Sequence, residues 1–136
     1  MAWASDHRAL RPLGLLRARR YNSTPGDLFR LVVRSGRRAG SRTLVVHLLL
    51  ATDREATPLA TTPTVGFVVS RAVGNAVRRN TVKRRLRHLS RDRLSALPAG
   101  TLLVVRALPT STQATYAALG ADLDRALEKA LARATT

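Results

Sequence analysis

The sequence has 136 residues, enough for one domain with a modest core, and it carries 24 Lys and Arg against 8 Asp and Glu. A net charge of +16 indicates a polyanionic partner, and nucleic acid is favoured over a membrane because the apolar runs are too short to span a bilayer. The sequence lacks cysteine, which excludes disulfides and thiolate chemistry and suits the cytoplasmic location that we expect.

Residues 1–23 form the first segment, in which five arginines lie among Leu, Ala and Pro without a clear period. One interpretation is a flexible basic arm that becomes ordered on RNA. The other is a disordered tail, or residues added by a misplaced start codon. We therefore separate a basic arm over residues 1–23 from a single folded domain over residues 24–136.

The folded domain is predicted to begin with a helix. Thr24 suits the N-cap position and Pro25 the first helical position. Apolar residues that include Phe29 and Val33 recur on one helical face, and Gly36 predicts the end of the helix.

The region after this helix predicts a basic loop, two strands and a polar connection. Three arginines surround Gly40 in the loop, and residues 43–50 are so dense in Leu and Val that we expect a strand covered on both faces. His47 lies within this strand, where a lone histidine is more often a packing residue than a ligand. Residues 52–64 are polar and contain two prolines, which predicts a loop, and residues 64–70 predict the next strand.

Residues 69–93 predict a helix of unusual charge. Asn75 is its expected N-cap, and Val82, Leu86 and Leu89 fall on one stripe at helical spacing. The opposite side carries Asn80, Arg84, Arg87 and Arg91, with Lys83 beside them, while Arg78, Arg79 and Arg85 border the stripe. A solvated helix normally interleaves both signs of charge, whereas these cations repel one another and favour a polyanion as partner. The alternative is a basic face that serves only solubility.

The last part of the chain predicts one more strand and one more helix. Pro98 and Gly100 end the basic helix, and residues 101–107 are strand-like. From about Ser111 an apolar stripe repeats at helical spacing through Tyr116, Leu119, Leu123, Leu127 and Leu131. This final helix carries three of the eight acidic residues, which makes it the one acidic-leaning helix, and it is expected to pack on the sheet. The order of elements predicts an α+β fold, one domain around a small mixed sheet.

The basic helix also carries a family resemblance. Gly74-Asn75-Ala76-Val77, followed by Arg79-Asn80 and then Lys83-Arg84 and Arg87, resembles the signature helix of the bacterial ribonuclease P protein subunit. The family has Arg-Asn-Arg where this chain reads Arg79-Asn80-Thr81, so one cation is replaced. The resemblance covers about residues 25–133 and implies the ribosomal protein S5 domain 2-like fold, with an extra short strand near Ser41 or in the residue 50s.

The resemblance further implies a binding role beside a catalytic RNA, which matures the 5′ end of precursor tRNA with Mg²⁺ held by the RNA. No cofactor is expected on the protein, and its partners would be the catalytic RNA and precursor tRNA, without a membrane. The RNA-binding residues would be Arg71, Asn75, Arg78, Arg79, Asn80, Lys83, Arg84, Arg87 and Arg91. A cleft lined by Phe29, Val33 and His47 would hold the 5′ leader.

The residue inventory predicts no catalytic or metal-binding side chains in the protein itself. His7, His47 and His88 share no ligand-like spacing, and no glycine-rich loop is suited to cradle a phosphate. Two other functions remain open. A ribosomal structural protein that binds RNA fits the charge and size equally well, and a stand-alone nuclease is disfavoured by the lack of acid–base groups. The motif spacing between Gly74 and Arg87 favours the ribonuclease P subunit.

Overall fold

The computed structural model describes residues 2–3, 25–50 and 63–135 of the chain. These residues form the elements β1 (Ala2–Trp3), α1 (Pro25–Ser35), β2 (Arg37–Gly40), β3 (Leu44–Leu49), β4 (Thr64–Val68), α2 (Ala76–Leu94), β5 (Leu102–Ala107) and α3 (Tyr116–Thr135). Short 3₁₀ turns at Arg71–Val73 and Pro109–Gln113 precede α2 and α3. Within the described ranges, no helix has the length and apolar character needed to cross a membrane.

The five strands form one mixed sheet in the order β1-β4-β5-β3-β2. Strands β4 and β5 are parallel neighbours, and the other three pairings are antiparallel. Because two adjacent parallel strands need a crossover connection, α2 must pass over the sheet between them. The predicted α+β fold with a small mixed sheet is confirmed.

The two faces of the sheet are covered by different helices. Leu44, Val46 and Leu48 of β3 belong to a large apolar cluster that also contains buried residues of α2 and α3. On the other face, Leu49 belongs to a smaller cluster with Val32 of α1, against which Phe29 packs. Successive residues of a strand point to opposite faces, so α1 lies on one side of the sheet and α2 and α3 lie on the other.

The prediction of a basic loop around Gly40 is wrong for residues 37–40, which form β2 at the edge of the sheet. Its only buried residue is Ala39, so the strand shows no hydrophobic alternation, and its arginines suit an exposed edge. This strand is the extra one that the resemblance implied near Ser41, whose backbone N–H donates to the Leu44 carbonyl at 2.8 Å in the β2–β3 turn.

The remaining boundaries follow the predictions with small shifts. Helix α1 ends at Ser35 as Gly36 predicted, and α2 ends at Leu94, a few residues before Pro98. Helix α3 begins only at Tyr116, because a 3₁₀ turn takes up residues 109–113. Three predictions fall outside the described residues: the Thr24 cap, the arm over residues 4–23 and the loop over residues 52–62. Near the start of the chain, Ala2 pairs with Phe67 of β4 and Trp3 pairs with Gly66.

Gly36 is required by close packing at the end of α1. A Cβ at this position would lie 2.5 Å from the carbonyl oxygen of Val32 and 2.8 Å from that of Leu48. Both neighbours are backbone atoms, which cannot move aside as a flexible side chain could. The glycine therefore lets the chain turn directly from α1 onto the sheet.

A buried carboxylate joins α3 to the start of β3. Asp122 is 3% exposed; it accepts a hydrogen bond from the Thr43 hydroxyl at 2.6 Å and another from Arg125. Burial alone would raise the pKa of the Asp122 carboxyl, but these two donors outweigh it and leave the pKa below its usual value. The acid is thus ionised near neutral pH and holds the final helix on the sheet.

Candidate nucleic-acid interface

Two adjacent residues fix where α2 begins. Gly74 has φ 154°, a conformation that side chains rarely adopt, and a Cβ there would lie 3.2 Å from the Arg78 side chain. The next residue, Asn75, has extended backbone angles, and its side-chain oxygen accepts the Arg78 backbone N–H at 2.9 Å. The predicted N-cap is confirmed. The same bond gives Asn75 a structural role in addition to its predicted contact with RNA.

The apolar stripe of α2 fixes which side of the helix meets solvent. Val82, Leu86 and Leu89 are at most 5% exposed and lie against the sheet and α3. The residues predicted on the opposite side are exposed or partly exposed, and we call them the outer face of α2: Asn80, Lys83, Arg84, Arg87 and Arg91. The division of α2 into an apolar stripe and a basic face is therefore confirmed.

Three cations of this outer face lack an ion-pair partner within the part of the chain that the structure describes. No carboxylate there lies within ion-pairing distance of Lys83, Arg84 or Arg91. Arg93 differs from them because it points to α3 and binds Asp124 through its Nε at 2.5 Å. The hydrogen bond to Asp124 raises the pKa of Arg93, whose charge serves to hold α2 on α3.

The other four predicted RNA contacts lie at the edges of this face. Arg71 is exposed in the 3₁₀ turn before α2, and Arg78 is exposed in the first helical turn. Arg79 is partly buried, and its Nε has no hydrogen-bond partner although water does not reach it. A buried donor without a partner is costly, so a group that supplies an acceptor there would stabilise the protein.

The residues predicted to line a cleft share the α1 face of the sheet. Phe29 and Val33 are partly exposed and one helical turn apart on α1, and Phe29 packs against the apolar cluster that contains Leu49 and Val104. His47 alternates with Leu49 along β3 and therefore points to the same face. Phe29 and His47 therefore lie on the side of the sheet away from α2, and Val33 lies on the same helix as Phe29.

His47 is more buried than a residue that binds RNA directly. It is 4% exposed, and neither ring nitrogen has a hydrogen-bond partner. Burial lowers the pKa of His47, and the nearby Arg106 and Arg38 guanidinium groups lower that pKa further. The ring is therefore neutral at pH 7 and lies beneath the surface on this face.

Arg38 and Arg106 are the residues that sequence reasoning missed on this face. Arg38 pairs with His47 across the β2–β3 register, and Arg106 lies opposite Val45 on β3 and Val68 on β4. The sequence predicts a loop at Arg38, so it does not reveal the neighbours of this side chain. Arg106 did have a signal, because it follows Leu102 and Val104 at the period of a strand and interrupts an otherwise apolar face.

The described side chains on the α1 face are apolar, neutral or cationic, which suits a phosphate-bearing chain. Divalent cations such as Mg²⁺ prefer carboxylate and carbonyl oxygens instead. Within the described ranges, the structure holds no group of three or more His, Cys, Asp or Glu side chains arranged to bind a metal ion.

Comparison with known proteins gives a consistent result. Residues 19–131 match the profile of the family described as Ribonuclease P. The chain is 56% identical over 111 residues to the ribonuclease P protein component of Nocardioides sp., covering 81% of this chain and 91% of that protein. It is 59% identical over 109 residues to the same component of Streptomyces bikiniensis, covering 79% and 89%.

Solved structures share the fold. The RNase P protein of Staphylococcus aureus superposes with a TM-score of 0.66 at 24% identity, covering 79% of this chain and 92% of that one. The RNase P protein of Thermotoga maritima superposes with a TM-score of 0.61 at 23% identity, covering 74% and 89%.

Proposed function

This chain belongs to the ribonuclease P protein family and is a protein subunit of ribonuclease P, and we propose that it binds the catalytic RNA through α2 and the 5′ leader of precursor tRNA through the α1 face of the sheet. The observation that carries the proposal is the separation of these two surfaces. The outer face of α2 and the α1 face lie on opposite sides of one sheet. One small domain can therefore contact two RNA segments at once.

Binding of the catalytic RNA by α2 follows from its uncompensated charge. Lys83, Arg84 and Arg91 project from a helix whose other side is buried in the core, so the helix cannot turn its cations elsewhere. Bringing phosphates to this face releases counterions from the RNA and relieves the repulsion within the helix. Arginine adds bidentate contacts with phosphate oxygens.

Binding of the leader on the α1 face follows from the mixture of side chains there. Single-stranded RNA is commonly held by aromatic rings beside cationic groups. Phe29 offers a partly exposed ring, and Arg38 and Arg106 supply charge near His47. Because His47 is buried and neutral, its proposed role is to support the surface from below, with Phe29 and Val33 in contact with the leader.

We assign cleavage to the RNA subunit and to the Mg²⁺ that it holds, and we assign the protein to the cytoplasm, where tRNA precursors are processed in bacteria. The protein contributes binding, orientation and screening of charge. The purified protein should not cut precursor tRNA alone, whereas the catalytic RNA with the protein should do so at a lower Mg²⁺ concentration than without it.

The two surfaces can be tested separately with Phe29→Ala and Arg84→Ala. In the assembled enzyme at saturating protein, Phe29→Ala should weaken binding of precursor tRNA by about 1–3 kcal/mol, the value of one stacked base, and spare mature tRNA, which lacks a leader. Arg84→Ala should leave the binding of both tRNAs nearly unchanged at saturating protein. It should instead raise the protein concentration needed for assembly. Circular dichroism of each variant controls for folding.

Equal losses for precursor and mature tRNA with Phe29→Ala would show that this ring serves the core alone. Val33→Ala is a matched control on the same helix, because it shortens an apolar side chain without removing a ring. It should cost less than Phe29→Ala if stacking, rather than apolar contact, holds the leader.

A further inference from the structure

A notch with an exposed aromatic ring lies between α2 and α3. Tyr116, the first residue of α3, is 42% exposed, although the sequence pattern places it in the buried stripe that runs through Leu119 and Leu123. The described part of the chain leaves only Tyr116 and Val77 as exposed large apolar side chains. The ring of Tyr116 is therefore available to a binding partner.

Tyr116 borders a notch with mixed aromatic and cationic walls. The notch has a volume of about 400 Å³ and is lined by Arg84, Arg85, His88 and Tyr116. The rings of His88 and Tyr116 have their centroids 6.3 Å apart at an angle of 64°. Rings at such an angle form a corner, in which a flat group can stack on one ring while its edge faces the other.

Arg85 lies between the notch and a neighbouring depression. Its guanidinium donates to the Ala114 carbonyl at 3.4 Å, which directs it to the segment before α3. The depression beyond has a volume of about 450 Å³ and includes Val77 and Thr81 among its lining residues, with Arg85 shared between the two hollows. A chain could therefore continue from one hollow to the next along the flank of α2.

We propose that this notch takes an unpaired base of the catalytic RNA, stacked on His88 or Tyr116 with its phosphate near Arg84 and Arg85. A base with its ribose fits a hollow of this size. Aromatic rings beside guanidinium groups are the usual means of holding a splayed base. The described lining contains cations but no carboxylate, as a nucleotide requires.

The position of the notch selects the catalytic RNA over the leader. Arg84 belongs both to the outer face of α2 and to the notch, so an RNA on the outer face lies within reach. The α1 face, where we propose that the leader binds, is on the other side of the sheet. The inference thus rests on the proposed docking of α2.

The test compares Tyr116→Leu with Tyr116→Phe in binding of the catalytic RNA. Tyr116→Leu keeps apolar bulk against α2 but loses the ring, so affinity should fall roughly 5- to 150-fold, the range for one stacked base. Tyr116→Phe keeps the ring and should bind as the parent protein does. Because neither change removes a phosphate contact, the salt dependence of binding should stay the same in both.

A second measurement uses the unaltered protein and does not depend on how the variants fold. Titration with adenosine monophosphate should shift the proton resonances of the Tyr116 and His88 rings. The ring on which the base stacks should move upfield, because a stacked base shields it, while the ring that faces the edge of the base should not. Ribose 5-phosphate, which has the phosphate but no base, should shift neither ring. Two results would overturn the inference. One is that the ring resonances do not shift with adenosine monophosphate, and the other is that a folded Tyr116→Leu variant binds the catalytic RNA normally.

The same experiments separate this inference from the proposal on which it rests. A loss confined to precursor tRNA in the assembled enzyme would assign the notch to the leader and contradict our choice of occupant. If removal of Arg84 and Arg91 left binding of the catalytic RNA unchanged, the docking of α2 would be wrong. The response of the rings to adenosine monophosphate would still report directly on the notch.

Discussion

The strongest quantitative prediction concerns the double variant Arg84→Ala, Arg91→Ala. Both side chains are exposed on the outer face of α2, and neither has an ion-pair partner among the described residues, so their removal breaks no ion pair there. We therefore expect the free energy of unfolding to change by less than about 0.5 kcal/mol. Any loss of RNA affinity then reports on RNA contacts and not on folding.

The magnitude follows from counterion release. Each phosphate contact contributes about 0.7 to 0.9 to the slope of log K against log salt, so the loss of two contacts should reduce the slope by about 1.4 to 1.8. Across a tenfold range of monovalent salt, the affinity deficit of the variant should then shrink by roughly 25- to 60-fold. Electrostatic contacts thus predict a defect that is large at low salt and small at high salt.

The assay is filter binding of the catalytic RNA at constant Mg²⁺ and varied monovalent salt. Lys129→Ala, Arg133→Ala is the matched control, because it removes the same charge from α3, where these side chains donate to the β2 carbonyls of Gly40 and Arg38. If both variants lowered the slope equally, net charge alone would explain binding. An unchanged slope in Arg84→Ala, Arg91→Ala would exclude this face from the interface.

Two further predictions concern single positions. Thr81 donates its hydroxyl to the Val77 carbonyl and stands where the family carries its third cation. Thr81→Arg should bind the catalytic RNA equally or more tightly, and its slope of log K against log salt should be steeper by up to about 0.9. Weaker binding by a folded variant would contradict this. Burial lowers the pKa of His47 in the folded protein. Its unfolded pKa is near 6.5, so the free energy of unfolding should be greatest above that pH and should decrease as the pH falls toward the folded pKa. The decrease should be at most about 1.4 kcal/mol per pH unit. Urea unfolding between pH 7.5 and 5 should show this loss in the parent protein and not in His47→Phe; equal pH dependence in both would refute the assignment.

The parts of the fold that could be predicted are those whose signal is local. Asn75 caps α2 through a bond to a residue three positions away, and the Val82–Leu86–Leu89 stripe is set by helical spacing alone. Strand β3 could be predicted because all six of its residues are buried, and a strand buried on both faces has a nearly continuous apolar sequence. Each of these features depends on residues within one or two turns of one another.

The features that were missed depend on contacts distant in sequence. Ala39 is buried only because α3 covers β2, so nothing within residues 37–40 identifies a strand. Arg106 approaches His47 only through the register of β3 against β5. Tyr116 fits the apolar period of α3, yet it lies at the end of the helix beyond the apolar cluster and remains exposed. Periodicity in the sequence identifies which residues share one face of a helix, but not which of them the rest of the protein buries.

The bond between Thr43 and Asp122 spans 79 residues of sequence, and this has a consequence for folding during synthesis. Strand β3 leaves the ribosome early, but the apolar face that it shares with α3 stays uncovered until Leu119 to Ala130 have been translated. Loop closure over such distances is slow, and sheets assembled from distant segments fold late. Between the translation of Leu94 and that of Ala130, the nascent chain therefore has a complete basic helix and a sheet whose apolar face is still open. A polyanion that engages α2 in that interval would act as a chaperone for the domain before it served as a partner.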